Sequence, residues 1–311
     1  MKPRPPAESS RDPGSFAPPR SGSVWVGNQT AFSAAHLMEP FEYAVANGFD
    51  AFEWFPDKKP GGAGWDESDL DEGRRAEIRQ TARFCRMRLS VHAGWAIDPL
   101  AAEGGLLLRR DIELARDLGA AVMVVHLRAE AGAAAFAGAL LSPLRWAAAN
   151  GLQLAIENTV STSPADFNEL FAALRALDPP ELRHAGMCLD LGHANLCAAT
   201  RNHYLEFIDQ LQPQVPILHL HVHENRGDAD THLPLFTGPA AQDDHGVRGF
   251  VERMKRRGFS GSIILEQWPN PPSLLNGARD GLRRLWDAAA GRDQGGAENT
   301  IRRVESSNEK R

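Results

Sequence analysis

A single closed (β/α)8 barrel is the fold class that this 311-residue chain predicts, on three observations. Eight short apolar runs recur along it. Stretches whose apolar residues repeat at three- and four-residue spacing separate them, as amphipathic helices require. No GxGxxG follows the first run. The runs are apolar almost throughout (VMVV, LQLAI, SIIL), which suits parallel strands buried on both faces. Strand–helix alternation alone also permits an open doubly wound sheet; the missing glycine signature and the count of eight favour closure.

The strands are expected at Val24–Gly27, Ala51–Phe55, Leu89–His92, Ala121–Leu127, Leu152–Glu157, Ala185–Asp190, Ile217–His221 and Ser262–Glu266. Helices are expected between them at Gly73–Met87, Leu106–Leu118, Pro164–Leu177 and Gly246–Arg257. The Pro60–Gly64 stretch after the second run reads as a loop and lacks the lysine of a phosphate-binding P-loop. Residues 1–22, with six prolines, are expected to be a disordered tail, and the polar residues 291–311 a second one. The remaining 23–290 is close to the ~250 residues typical of one barrel.

Composition narrows the function classes. The net charge is −6, the two tails are positive, and the segment between them carries −9. That balance disfavours a general polyanion-binding role, so nucleic acid is not the expected partner. Three cysteines (Cys85, Cys188, Cys197) without CxxC spacing suit neither a disulfide framework nor a cysteine zinc site. The first residues have no apolar segment of signal-peptide type, and the longest apolar stretch, Ala133–Leu144, is too short for a bilayer. A cytoplasmic protein without membrane contact is expected; a homo-oligomer is left open.

Function is legible at the strand ends. Six successive runs finish in a metal-capable side chain: His92, His126, Glu157, Asp190, His221 and Glu266. The spacings are 34, 31, 33, 31 and 45 residues, so most equal one strand–helix repeat. In a barrel those ends converge on one mouth. His193, three residues past Asp190, and Asp230 and His232, past the seventh run, join them. A lone polar residue at a strand end more often caps a loop. Six such residues on buried strands would each need a partner, and one shared metal site satisfies them together. Carboxylates with imidazoles suit Mn, Mg, Co or Zn. Glu157, Asp190, His221 and Glu266 stand first as ligands. His92, His126, His193, Asp230 and His232 are further ligand or substrate candidates.

His219 and His223 share a face with His221 if all three lie on one strand, so a shift by two remains open. Depth favours His221, with His219 deeper and His223 at the rim. Trp54, Trp95 and Trp268, at or just past strand ends, are candidate walls of a sugar pocket, and Arg226 a candidate contact to a hydroxyl or phosphate. Glu53 is either a buried structural acid or a pocket residue. His36, His184, His203 and His245 join no constellation.

The segments IENT (156–159), CLDLGHANL (188–196), HVHENRGDADTHLPL (221–235) and ILEQWP (264–269) resemble the xylose isomerase-like TIM-barrel superfamily over about residues 23–290. It includes sugar isomerases and epimerases, inosose-processing enzymes and endonuclease IV. The resemblance implies that Glu157, Asp190, His221 and Glu266 hold a catalytic divalent metal. By likeness to the ketose epimerases, Glu157 and Glu266 shuttle the substrate proton and His193 contacts the sugar. Endonuclease IV uses nine ligands for three zinc ions, and the corresponding order occurs here in His92, His126, Glu157, Asp190, His193, His221, Asp230, His232 and Glu266. Against that rival, Leu127 and Arg128 follow His126 where Pro-Gly is typical, and DLGHANL and DTHLPL look like the sugar enzymes.

The leading expectation is a metal-dependent isomerase or epimerase of a small sugar, sugar phosphate or polyol, working through an enediolate with Glu157 and Glu266 as acid and base. An inosose dehydratase-like lyase is a close variant. The alternatives are a trinuclear zinc phosphodiesterase acting at abasic DNA, and a barrel that only binds a ligand.

Overall fold

The structure is a computed structural model that describes residues 24–289, apart from 32, 60 and 63. Both expected tails, 1–22 and 291–311, lie outside the described residues.

Eight parallel strands close a barrel in sequence order. They are β1 (Trp25–Gln29), β2 (Ala51–Trp54), β3 (Arg88–His92), β4 (Val122–His126), β5 (Gln153–Glu157), β6 (Ala185–Asp190), β7 (Ile217–Val222) and β8 (Ser262–Leu265). Closure is made by β8 on β1, from Trp25↔Ser262 to Asn28↔Leu265. Around it run α1 (Glu39–Ala46), α2 (Glu72–Cys85), α3 (Gly104–Leu118), α4 (Ala133–Ala149), α5 (Pro164–Leu177), α6 (Leu191–Leu196), α7 (Tyr204–Gln210) and α8 (His245–Arg256). A ninth helix, α9, covers 274–289.

Each expected strand is present, with ends displaced by at most two residues. The largest change is at β1, which continues through Asn28 and Gln29. An apolar-run criterion stops at a polar residue. Here the polar pair stays in the ladder, and the Asn28 side chain donates to Pro40 O (3.3 Å). Helix ends follow local chemistry. Ser163 and Asp166 form a capping box at α5 with Pro164 in its first turn. Asp71 caps α2, and Gly119 ends α3 in the left-handed conformation.

Alternation along the strands sorts the core into two bodies. The larger fills the space between barrel and helices. The smaller, Val122, Val124, Ala155 and Cys188, lines the barrel interior beneath β4–β6. Two residues above Val124, Ala155 and Cys188 on the same faces stand His126, Glu157 and Asp190. On these three strands the inward column therefore ends in a metal-capable side chain at the mouth.

Candidate metal centre and cavity

The inward positions at or within one residue of the ends of the eight strands, taken in order, are Gln29, Phe55, His92, His126, Glu157, Asp190, His221 (with His223 one past β7) and Glu266. Six are the residues expected from the strand ends. Glu157, Asp190, His221 and Glu266 each bring one donor atom within 4.8 Å of the others, and all four are buried. His221 Nδ1 lies 3.4 Å from Glu157 Oε1 and 3.2 Å from Glu266 Oε1.

Two groups flank this quartet. On one side His92 Nε2 meets Glu157 Oε2 at 2.6 Å, and His126 Nε2 lies 3.4 Å from the same oxygen. On the other, His193 Nε2 and His232 Nε2 lie 3.3 and 3.2 Å from Asp230 Oδ2. His193 also reaches Glu157 Oε1 (3.3 Å), which ties the outer group to the quartet. His223 joins the outer group too. Its Nε2 is 3.3 Å from Asp190 Oδ1 and its ring stacks on His232 at 3.9 Å. Sequence reasoning set His223 at the rim; it is buried because Gly192 leaves room for its ring, where a Cβ would stand 2.0 Å from Cε1.

Local structure explains the DxxH spacing. Asp190 ends β6 and is the N-cap of α6, its Oδ1 accepting from the backbone N–H of His193 at 2.6 Å. That turn carries His193 back over the mouth, where its Nδ1–H donates to Asn158 O (2.8 Å). Asn158 is held in turn by the Asp190 backbone, donating to its carbonyl (2.9 Å) and accepting from its N–H (2.8 Å).

The electrostatics are those of a cluster with many carboxylates and little water. Burial raises the Glu266 carboxyl, helped by Asp190 and Glu157 and opposed by His221 and His232, to about 8. Burial also acts to raise Glu157, but the His221, His126 and His92 rings overrule it and hold that carboxyl well below the usual range. Burial pushes His126 down to about 4. At His232 burial is outweighed by the hydrogen bond it donates to Asp230 and by nearby carboxylates, which lift it to about 9.

A cavity of about 460 Å³ opens above the cluster. Glu157, Glu266, His92, His126, His193, Asp230 and His232 line it, and Phe55, Trp65, Trp95 and Trp268 give it aromatic walls. Asp190 and His221 lie beneath its floor, fully buried. Gln29 and Trp65 were not singled out from the sequence. Gln29 has an inward position two beyond Gly27, a parity that the strand pattern contains; Trp65 lies in a loop and carries no such signal.

Two expected substrate-contact residues, the wall candidate Trp54 and the hydroxyl or phosphate contact Arg226, stand elsewhere. Trp54 follows the inward-facing Glu53 and therefore points out of the barrel, packed against Phe41, Phe52 and Trp65 at 5.0–5.8 Å and fully buried. Arg226 is exposed and borders a separate 350 Å³ pocket with Asn195, Asn202 and Asn225. Neither lines the cavity above the cluster. Glu53 is buried beneath the floor and does not line it either.

The family model described as xylose isomerase-like TIM barrel matches residues 41–287. A D-tagatose 3-epimerase-like protein of known structure superposes with a TM-score of 0.66 at 20% identity, over 86% of this chain and 99% of its own. An L-ribulose 3-epimerase superposes with a TM-score of 0.62 at 16% identity, over 87% and 97%. An uncharacterised protein of Methanocaldococcus jannaschii is 32% identical over 85 residues, which is 27% of this chain. That match spans about a quarter (26%) of the archaeal protein's length.

Proposed function

The chain belongs to the family of xylose isomerase-like TIM barrels, and on that premise we propose that it is a divalent-metal-dependent isomerase or epimerase of a small, unphosphorylated sugar or related polyol. One observation carries the reading. Glu157 and Glu266 belong both to the buried donor quartet and to the cavity lining, whereas Asp190 and His221 belong to the quartet alone. Two carboxylates on that boundary can touch a substrate from a fixed base.

The donors suit a hard-to-borderline divalent cation. Three carboxylates and an imidazole converge without a thiolate, and the buried Asp190 Oδ2 and His221 Nδ1 have no hydrogen-bond partner. Glu157, Asp190, His221 and Glu266 would hold the ion, and its chemistry there is Lewis-acid polarisation of a sugar carbonyl. The chain's own groups do the rest. Glu157 and Glu266, the two donors of the quartet that also line the cavity, would serve as the reaction's acid and base. One takes the proton from the carbon beside the carbonyl and the other returns one. Return to the opposite face of the same carbon is epimerisation; return to the neighbouring carbon is isomerisation. The aromatic walls exclude water, and His193 stands at the rim to contact a hydroxyl.

Charge favours an unphosphorylated substrate. Apart from imidazoles, the cation among the described lining residues is Lys59, whose Nζ lies 2.8 Å from Asp57 Oδ2 and 5.0 Å from the centre of the Trp95 ring. No arginine stands among the described lining residues, so the cavity offers no guanidinium to clamp a phosphate dianion.

The test is incubation of metal-loaded protein with free ketoses in deuterated water. The wild-type chain should place solvent deuterium on the carbon beside the carbonyl, and folded Glu266→Gln should lose turnover by at least 10³-fold (about 4 kcal/mol of barrel-borne catalysis). Unchanged turnover in that variant overturns the assignment. A second reading, phosphodiester hydrolysis at abasic DNA, is favoured by the donors beyond the quartet: His92 and His126 on Glu157, and His193 and His232 on Asp230. Three zinc ions per chain with nicking of abasic duplex would establish it; one ion per chain and no DNA binding would exclude it.

A further inference from the structure

Below the cavity floor the barrel interior holds a carboxylate that no substrate reaches. Glu53, on β2, is fully buried. Its Oε2 accepts from Ser90 Oγ (2.7 Å) and from His219 Nε2 (2.9 Å). Its Oε1 lies 2.9 Å from His221 Nε2, a close charge contact that lacks hydrogen-bond geometry and leaves neither atom another partner. Barrel interiors are ordinarily filled by bulky branched side chains, and a carboxyl buried there needs partners for its oxygens.

His221 is turned the opposite way from the other rings of the cluster. His92, His193 and His232 each give Nδ1–H to a backbone carbonyl, of Ala93 (2.6 Å), Asn158 (2.8 Å) and Glu266 (2.6 Å), and present Nε2 to the carboxylates. Those carbonyls lie at the mouth, where the chain leaves the sheet. One layer lower, strand carbonyls are engaged in the ladder and cannot anchor a ring. His221 therefore presents Nδ1 to Glu157 and Glu266 and rests its other nitrogen on a side chain, that of Glu53.

We propose that Glu53 is a positioning residue of the metal centre: it holds His221 as the Nε2–H tautomer and so keeps Nδ1 as the free donor for a divalent ion. Ser90 and His219 occupy the other carboxylate oxygen and stop it from turning away. A carboxylate on the outer nitrogen of a metal-bound histidine fixes the ring's orientation and strengthens the inner nitrogen as a ligand. The inference rests on the metal reading of the quartet.

The experiment measures Zn²⁺ binding by competition with a chromophoric chelator, beside the visible spectrum of the Co²⁺-loaded protein. Glu53→Gln keeps the shape and removes the charge. It should bind Zn²⁺ about 10- to 100-fold more weakly than the wild type and show altered Co²⁺ bands. Equal affinity and an unchanged spectrum overturn the role of Glu53 while leaving the metal reading standing. A wild-type chain that binds neither ion overturns the metal reading, and the inference with it. A second measurement needs no variant. Nitrogen-15 NMR of the Zn²⁺-loaded wild type should show His221 coordinated through Nδ1 with a slowly exchanging Nε2–H; coordination through Nε2 overturns the proposal even if Glu53→Gln does not fold.

Discussion

Asp111 shows how far burial, with a smaller push from Glu67, moves one carboxyl in this barrel. It lies on α3 with its Oδ2 accepting from the Gly94 N–H at 3.2 Å, and burial lifts its pKa from 3.8 to about 7. A raised carboxyl means that, between its ordinary value and about 7, the folded chain holds a proton that the unfolded chain has released. The stability tied to that proton is fully present below about pH 4 and is lost as pH rises through 7. Asp111→Asn keeps an acceptor for Gly94 and never ionises. It should match the wild type near pH 4 and be more stable at pH 8 by an order of 2–4 kcal/mol, from ~1.4 kcal/mol per pH unit. Urea unfolding of both proteins across that range checks it; parallel pH profiles would be the contrary result. The same scale holds the clearest misplacement from sequence. Residue type nominated Trp54 as a sugar wall, yet the period of two that turns Glu53 inward turns Trp54 outward. Parity along the strand contained that answer, and chemical type did not.

At the scale of elements, β1 and β2 approach so closely that one of them must carry a glycine. A Cβ on Gly27 would stand 2.2 Å from Ala51 O, a backbone atom that moves only if the strands part. Gly27→Ala should therefore destabilise the barrel by about 1–3 kcal/mol or more, as overpacking does. A lower urea midpoint with unchanged slope is the expected readout, and an unshifted midpoint would contradict the close approach. Strands were legible because both of their faces are buried, which leaves unbroken apolar runs. Elements without that signal were harder to read. The polar end of β1 depends on its ladder with β2 and α6 on the Asp190 cap, while the short helices α1 and α7 carry no side-chain N-cap and rest on packing. In α6 local structure and chemistry coincide, since Asp190 both starts the helix and joins the donor quartet.

For the whole molecule, a donor quartet assembled from four successive strands, β5–β8, couples ligand binding to the fold. An ion that binds only the folded chain stabilises it by mass action, by ~2.7 kcal/mol at a hundredfold excess over Kd. Chelator-treated protein should accordingly melt lower, and Zn²⁺, Mn²⁺ or Co²⁺ should restore the transition; a melting temperature indifferent to all three would argue against the metal centre. The sequence alone determined the barrel and the ring of donors at its mouth, because strand periodicity and the length of one strand–helix repeat place successive strand ends on one rim. Only the tertiary structure decided which donors share a neighbour, which nitrogen each histidine presents and what lies beneath them. Those depend on ring rotation and depth, and on contacts such as Glu53 with His219, 166 residues apart, which no local pattern encodes.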